Sequence, residues 1–332
     1  MEQTVLEVRH LTVGFPSKKG GFVPAVNDVS FLVPRGSIVG IVGESGCGKS
    51  MTARSIMGLV KSPGRILSGS IQLEGRELVG VRERTMSAVR GEEIAMIFQE
   101  PMTSLNPVMT VGRQVLETVR LHRNLSKRDA KDKVIQVFRD VGISEPEKRY
   151  RCYPHELSGG LRQRVMIAMA MVCRPKVLIA DEPTTALDVT VEAQILQLVK
   201  NLRDTVGTSM ILISHNLGVV AEVCDAIHVM YAGRIVESGK TVDVFEHPCH
   251  PYTRGLLNAV RSLEQCRERL DTIAGTVPDL SEIGSGCAFA PRCTQCAPGC
   301  LTELPGVVTV SPGHTVRCHG GKEGFYGGDR FA

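Results

Sequence analysis

The sequence predicts an α/β fold, in which helices cover a sheet of buried strands. Short runs rich in β-branched and apolar residues alternate with longer amphipathic stretches. Runs of this length and composition are typical of buried strands. We expect strands at 37–42, 177–180, 209–214 and 226–230.

A second observation is that the spacing of apolar residues changes along the chain. Between about 101 and 173 the apolar residues recur with helical spacing, as at 111–121 and 127–141, which predicts an inserted helical subdomain. Beyond Pro251 a helix-like stretch at 252–260 leads into a segment rich in Gly, Pro and Cys. We therefore predict one domain over residues 1–255 and a C-terminal extension over residues 256–332.

Composition narrows the class of protein. The chain has 332 residues, 42% hydrophobic and 22% charged, as in an ordinary globular protein. Its net charge of +4 is too small to indicate a nucleic-acid-binding surface, so we expect no nucleic-acid partner. No apolar run reaches the ~18 residues of a membrane span, and Met1-Glu2-Gln3-Thr4 does not resemble a secretory signal, so we expect the chain to stay in the cytoplasm.

A glycine-rich loop follows the first expected strand. Residues 43–50, Gly-Glu-Ser-Gly-Cys-Gly-Lys-Ser, fit the phosphate-binding pattern G-x-x-x-x-G-K-[ST] and lie between a strand and a helix. Such a loop turns its backbone N–H groups toward nucleotide phosphates, while Lys49 meets the phosphates and Ser50 the Mg²⁺. The residues predicted to bind the nucleotide here are Gly43, Ser45, Gly46, Cys47, Gly48, Lys49, Ser50 and Met51. A redox role for Cys47 is the weaker alternative to a structural one.

Polar side chains follow three more expected strands. Asp181 and Glu182 end the strand at 177–180; Asp181 is predicted to hold Mg²⁺, and Glu182 to polarise the attacking water. His215 follows the strand at 209–214 and is predicted to reach the γ-phosphate region. Gln99, after the apolar run 95–98, offers an oxygen to Mg²⁺ or to the water. The sequence thus predicts ATP hydrolysis.

Leu157-Ser158-Gly159-Gly160, followed by Gln163-Arg164, resembles the signature motif of ATP-binding cassettes, the ABC family. The resemblance covers nearly the whole chain and implies a P-loop NTPase fold with a RecA-like core, a β-subdomain and the helical subdomain. It also implies a head-to-tail dimer in which Ser158, Gly159 and Gly160 close over ATP held by the second cassette. Asp188, in the loop 186–188, is a further nucleotide-binding residue that the resemblance implies. Phe15 resembles the aromatic residue that stacks on adenine, with Phe22 as its competitor.

Two further stretches narrow the resemblance. Residues 98–107 and His250-Pro251-Tyr252-Thr253 are similar to the dipeptide, oligopeptide and nickel importers. This branch implies an ATPase that drives solute import, a second and paralogous cassette subunit, two membrane permease subunits and, indirectly, an extracytoplasmic binding protein. It implies a peripheral position on the cytoplasmic face of the inner membrane. Leu161 and Asn216 depart from the usual Gln and Asp of the family.

Five of the eleven cysteines crowd near the C-terminus. We call residues 287–318 the cysteine segment. Four thiols in a loop-rich stretch suit zinc, an iron-sulfur cluster or no metal, and spacing alone does not choose. The family resemblance implies a 4Fe-4S cluster on Cys287, Cys293, Cys300 and Cys318, with zinc as the alternative and Cys296 as a spare.

Charged neighbours of these thiols are expected to be solvated surface residues rather than ligands or hydrogen-bond donors to sulfur. They are Arg292, His314, Arg317 and His319. A different function, a soluble cassette that acts on ribosomes or DNA, remains an alternative. The single cassette and the absence of heptad runs argue against it.

Overall fold

The computed structural model describes residues 3–18, 20–99, 104–184, 189–264 and 273–322. The chain forms two compact units. The first comprises residues 1–6, 33–37 and 73–213, and the second comprises residues 7–32, 38–72 and 214–332.

The chain begins with β-strands and their connecting helices. These elements are β1 (Thr4–Pro16), β2 (Phe22–Pro34), β3 (Ile38–Val42), α1 (Lys49–Ile56), β4 (Arg65–Leu73), β5 (Arg76–Glu77), α2 (Glu83–Val89) and β6 (Ile94–Ile97). The middle of the chain contains α3 (Val111–His122), α4 (Lys127–Asp140), α5 (Pro146–Arg149), α6 (Gly159–Met171), β7 (Val177–Asp181), α7 (Val189–Val206) and β8 (Ser209–Ser214). The last third contains α8 (Leu217–Val223), β9 (Ala226–Tyr231), β10 (Arg234–Lys240), α9 (Thr241–Glu246), α10 (Pro251–Glu264), α11 (Pro298–Thr302), β11 (Val308–Ser311) and β12 (His314–Val316).

The first unit is built around three parallel strands. β6 pairs with β7 from Ile94↔Val177 to Ile97↔Ala180, and β7 pairs with β8. Every residue of these three strands is buried, because they are short apolar runs covered on both faces. Parallel pairing brings their carboxyl ends to one edge, which is where polar residues follow each strand.

The second unit carries a mixed sheet. β3 and β9 are parallel, whereas β9, β10, β12 and β11 pair antiparallel in that order. β2, β1 and β4 are neighbours in a separate sheet. The strand pairing therefore extends from β3 to the hairpin at residues 308–316.

The strands predicted at 37–42, 177–180, 209–214 and 226–230 correspond to β3, β7, β8 and β9. The helical pattern between 101 and 173 corresponds to α3 to α6 within the described residues. The C-terminal hairpin was not predicted, because its strands are short and β11 is largely exposed. No helix in the described ranges is long and apolar enough to cross a membrane.

Candidate functional site

The phosphate loop connects β3 to α1, and its glycines occupy conformations that other residues rarely adopt. Gly43 has φ 151°, and a Cβ there would lie 2.2 Å from the Met230 carbonyl oxygen. Gly48 has φ 104°, and its Cβ would lie 2.6 Å from the Ala25 carbonyl oxygen. Only glycine satisfies both the left-handed backbone and the close approach. The loop is thus shaped by backbone geometry, as a phosphate site made of N–H groups requires.

Lys49 is buried in this loop, with 5% of its surface exposed. Its Nζ donates to the carbonyl oxygens of Gly43 at 2.7 Å and Glu44 at 3.0 Å. The Lys49 ammonium therefore donates to carbonyl oxygens of the loop. We expect the phosphate oxygens of a nucleotide to be its acceptors at the same place. This donor set fits a nucleotide triphosphate, and Ser50 and Met51 follow it in the first turn of α1.

Cys47 is fully buried in the same loop. Burial raises the pKa of its thiol, and the nearby Lys49 ammonium lowers it by less. A buried thiol with a raised pKa is a poor nucleophile. The structure thus favours the structural interpretation of Cys47 over a redox role.

The polar residues after β6 and β7 meet at the carboxyl edge of the first unit. Gln99 Nε2 donates to Glu182 Oε2 at 2.8 Å. Glu182 has φ 48°, and its N–H donates to the Ile213 carbonyl oxygen at 2.9 Å. A non-glycine residue in this conformation costs of order 1–3 kcal/mol, which the surrounding fold must offset. Asp181, at the end of β7, is 3% exposed. The structure therefore brings together three predicted site residues of this unit.

His215 follows β8 and is exposed. Asn216, next to it, is the N-cap of α8, and its Oδ1 accepts hydrogen bonds from the N–H groups of Gly218 at 3.0 Å and Val219 at 3.4 Å. Asn and Asp are comparably good N-caps, so the departure from the usual family residue has a local physical explanation.

The signature residues begin α6. Ser158 is the N-cap, and its hydroxyl accepts from the N–H of Leu161 at 3.4 Å. Gln163, 1% exposed, donates from Nε2 to the Pro183 carbonyl oxygen at 2.5 Å. This bond joins the signature helix to the residue directly after Glu182, a link that sequence reasoning missed because the two residues are 20 positions apart.

The remaining predicted nucleotide contacts are distributed over the chain. Phe15 lies in β1, and its ring packs on Gly64, where a Cβ would lie 2.5 Å from Phe15 Cε1. Phe22, its competitor, lies under the Arg65 guanidinium at 4.2 Å. Asp188 lies outside the described residues. The predicted site residues are divided between the two units. The second unit contains Phe15, residues 43–51 and His215. The first unit contains Gln99, Asp181, Glu182 and Ser158 to Gly160.

Burial and neighbouring thiols raise the pKa of two thiols of the cysteine segment, Cys287 and Cys293. Burial raises the pKa of Cys287 to about 11, with smaller contributions from Cys300 and Cys318. The pKa of Cys293 is raised by burial and then by Cys318, Cys296 and Cys300. The N–H of Cys287 donates to the Cys300 carbonyl oxygen at 2.7 Å. Cys296 is exposed. The backbone therefore brings two of the expected ligands, Cys287 and Cys300, together.

The prediction that Arg292, His314 and Arg317 are solvated surface residues was wrong. The Arg292 side chain is 5% exposed and binds Glu44 with both terminal nitrogens. His314 is 2% exposed, with Nε2 2.8 Å from Glu237 Oε1. The Arg317 side chain is 14% exposed and donates to Asp28 Oδ2 at 3.0 Å. Each partner is distant in sequence, so no local pattern signals the pairing.

Glu237 is the centre of a buried polar cluster. Its carboxylate accepts from the N–H groups of Cys249 at 2.6 Å and His250 at 2.8 Å, besides the contact with His314. The ligand-type atoms of Glu237, Cys249 and His314 lie within 4.8 Å of one another. Because the carboxylate already has these partners, the cluster is explained as a structural network.

Two models of known protein families match parts of this chain. Residues 26–185 match the family model described as ABC transporter, and residues 236–300 match the model described as oligopeptide/dipeptide transporter, C-terminal region. The structure of cbiO1 from Clostridium perfringens, part of the ABC transporter complex cbiONQ, superposes with a TM-score of 0.63 at 27% identity, over 74% of this chain and 92% of that one. A dimeric ATP-binding cassette bound to ADP and Pi, 24% identical, has a TM-score of 0.64 and shares the fold over 71% of this chain and 98% of that one.

Curated relatives match over most of their length. The oligopeptide transport ATP-binding protein OppD of Salmonella typhimurium is 52% identical over 87% of this chain and 86% of that protein. The oligopeptide transport ATP-binding protein AppD of Bacillus subtilis is 48% identical over 95% of this chain and 96% of that protein. The chain therefore belongs to the ABC transporter family of ATP-binding proteins, in the oligopeptide and dipeptide transporter branch.

Proposed function

We propose that this chain is the ATP-hydrolysing subunit of a membrane importer for peptides or related small solutes. The observation that carries the proposal is the contact between Gln99 and Glu182 at the carboxyl edge of parallel strands, in a chain that also has a complete phosphate loop. The 52% identity with a protein named for oligopeptide transport supports peptides as the solute class.

Each predicted residue has a role in this proposal. Lys49 and the N–H groups of residues 43–51 bind the phosphates, and Phe15 stacks on the adenine. Ser50, Gln99 and Asp181 hold Mg²⁺, because hydroxyl and carboxylate oxygens are its preferred ligands. Glu182 accepts a proton from the attacking water, and Gln99 orients the Glu182 carboxylate through the observed hydrogen bond. His215 donates to the γ-phosphate.

The signature residues act on a second nucleotide. Ser158 begins α6 with its hydroxyl at the helix N-terminus, where anions are stabilised. We propose that Ser158, Gly159 and Gly160, with Asp188, close over ATP bound to a second, paralogous cassette. Two membrane permease subunits would receive the resulting motion on the cytoplasmic face of the inner membrane. An extracytoplasmic binding protein would supply the solute.

We further propose that residues 1–255 form the cassette, with its helical subdomain over about 101–173, and that residues 256–332 form an extension that holds a 4Fe-4S cluster. The proposed ligands are Cys287, Cys293, Cys300 and Cys318. The hydrogen bond from the Cys287 N–H to the Cys300 carbonyl oxygen, which holds two of the four residues together, supports a shared site.

The hydrolytic assignment is tested with Glu182→Gln. We expect this variant to keep MgATP binding while phosphate release falls at least about 100-fold, because the general base is lost. Glu246→Gln removes an exposed carboxylate from the end of α9 and serves as the matched control with unchanged turnover. Wild-type turnover in Glu182→Gln would contradict the role of Glu182.

The cluster is tested by iron and acid-labile sulfide analysis of protein purified without oxygen. We expect about four irons and four sulfides per chain. Cys287→Ser should lose them, whereas Cys296→Ser, at an exposed cysteine, should keep them. Stoichiometric zinc, or no metal in the wild type, would overturn the cluster and leave the ATPase proposal standing.

A further inference from the structure

The phosphate loop contains a carboxylate at a position where a negative charge is unfavourable. Glu44 directly follows Gly43, and its side chain is 29% exposed. Its own carbonyl oxygen is a partner of Lys49 Nζ, the group proposed to bind the phosphates. A carboxylate so close to a triphosphate repels it unless another group neutralises the charge.

Arg292 of the cysteine segment supplies that neutralisation. Its Nη1 donates to Glu44 Oε2 at 2.7 Å, and its Nη2 donates to Glu44 Oε1 at 3.0 Å. This two-point contact is the strongest geometry that an arginine and a carboxylate form. The hydrogen bond to Glu44 raises the pKa of Arg292 further above its ordinary value. Arg292 and Glu44 therefore form an ion pair at the phosphate loop.

Other contacts hold the guanidinium in place. Nε donates to the Ala274 carbonyl oxygen at 2.9 Å, Nη2 to the Ile273 carbonyl oxygen at 3.3 Å, and Nη1 to the Tyr231 hydroxyl at 3.4 Å. Every nitrogen of the guanidinium thus has an acceptor. A side chain fixed in this way loses little entropy when it meets Glu44, so the contact is pre-organised.

Glu44 is also held from its backbone. Its N–H donates to the Tyr252 hydroxyl at 2.8 Å. Tyr252 is fully buried, with its ring 4.7 Å from Tyr231 and 5.4 Å from Phe289 between centroids. The first half of the phosphate loop is therefore fixed at two points, by a tyrosine of α10 and by an arginine of the cysteine segment.

We propose that Arg292 is a positioning residue of the nucleotide site, which neutralises Glu44 and so sets the affinity of the phosphate loop for ATP. The proposal rests on the function proposed above. Arg292 ends a 3₁₀ turn, residues Ala290–Arg292, and directly precedes Cys293. The cysteine segment thereby becomes part of the nucleotide site through charge, and ATP affinity depends on how that segment is folded.

Neutralisation of the Glu44 charge and a purely structural role of Arg292 lead to different expectations for ATP binding. In a structural role, Arg292 would only fasten the cysteine segment, and removing the Glu44 charge would not repair its loss. In the proposed role, the harm done by losing Arg292 comes from the unpaired carboxylate. Removing both charges together should therefore restore ATP binding.

The test is the equilibrium binding of MgATP, measured by calorimetry on the full-length chain in its complex. Arg292→Met should weaken the Kd about tenfold, equivalent to ~1.4 kcal/mol, and the loss should shrink in 1 M salt. In steady-state hydrolysis the KM for ATP should rise while kcat stays constant. The double variant Glu44→Gln with Arg292→Met should return to within about threefold of the wild type.

Two further variants complete the design. Arg292→Lys retains the charge and should stay within about threefold of the wild-type Kd, which gives a test even if Arg292→Met does not fold. Arg317→Met removes another paired arginine of the cysteine segment, whose partner is Asp28, and should leave the Kd unchanged. An unchanged Kd in Arg292→Met, a double variant as weak as the single one, or an Arg292→Lys variant as weak as Arg292→Met would each overturn the proposal. A wild-type protein that binds no ATP would instead overturn the proposed function.

Discussion

The phosphate loop and the cysteine segment lie in the same compact unit, but different forces hold them in shape. The loop is defined by glycine backbone geometry between a fully buried strand and a helix. The buried hydrophobic residues of the cysteine segment are Phe289, Ala290 and Val316. Two arginine–carboxylate ion pairs and a histidine–carboxylate contact fasten the segment to earlier parts of the chain. The loop should therefore respond to changes in backbone and ligand contacts, and the segment to changes in charge.

The largest expected effect of a substitution is the loss of ATP affinity when the phosphate loop is changed. Lys49→Ala should weaken ATP binding about 100-fold or more, because a buried ammonium and its charged hydrogen bonds to phosphate are lost. The measurement is calorimetric titration with MgATP. Lys61→Ala, an exposed lysine after α1, is the control and should bind like the wild type. Undiminished affinity in Lys49→Ala would show that phosphate binding does not depend on this lysine.

On the cysteine segment, the largest effect is expected at its most buried pair. Glu237→Gln should lower the free energy of unfolding by about 3 kcal/mol, because His314 and two backbone N–H groups lose a buried charged partner. Urea unfolding measures this change. Arg317→Met, which breaks a more exposed pair, should cost about 1 kcal/mol or less. Equal losses in both variants would mean that burial does not decide the contribution of these pairs.

A smaller effect, a loss of stability at low pH, is expected from His250. This residue contacts Tyr252, which holds the phosphate loop, and Phe289 of the cysteine segment. Burial lowers its pKa to about 4, with a lesser contribution from Arg254 and an opposing one from Glu237. Its Nδ1 accepts from the N–H of Tyr252 at 3.0 Å, which requires the neutral ring. Below pH 6.5 the unfolded chain gains a proton that the folded chain refuses, so stability is lost between pH 6.5 and 4. The loss should be about 2 kcal/mol at pH 5.

The control for this prediction is His250→Asn, since the asparagine Oδ1 can accept from Tyr252 without titrating in this range. Urea unfolding at pH 7 and pH 5 should show a smaller decrease for the variant than for the wild type. Identical decreases in the two proteins would assign the pH dependence to other groups.

The two regions also differ in how far the sequence predicted them. The phosphate loop was predicted, because its glycines, lysine and flanking strand and helix are contiguous. The contact between Gln99 and Glu182 was anticipated in part, because residues that follow neighbouring parallel strands lie at one edge of a sheet. The pairing of Arg292 with Glu44 spans 248 positions and that of His314 with Glu237 spans 77. Such pairs depend on the tertiary fold, so no local pattern in the sequence signals them.

The departures from the family pattern make the same point on a smaller scale. Asn216 stands where Asp is usual in the family, and its side-chain Oδ1 caps α8 by accepting from two backbone N–H groups. Leu161 donates its backbone N–H to Ser158, an interaction that does not depend on its side chain. The role of Asn216 thus depends on its side chain, whereas the contact of Leu161 uses only its backbone.

The measurement that tests the central proposal most directly is uptake of a labelled oligopeptide into proteoliposomes. They would contain this chain, a second cassette and the membrane subunits, with the binding protein on the opposite side and ATP on the cassette side. The account predicts ATP-dependent uptake with the wild type and almost none with Glu182→Gln, although that variant still binds ATP. Uptake by Glu182→Gln at the wild-type rate would contradict the proposal that hydrolysis by this chain drives import.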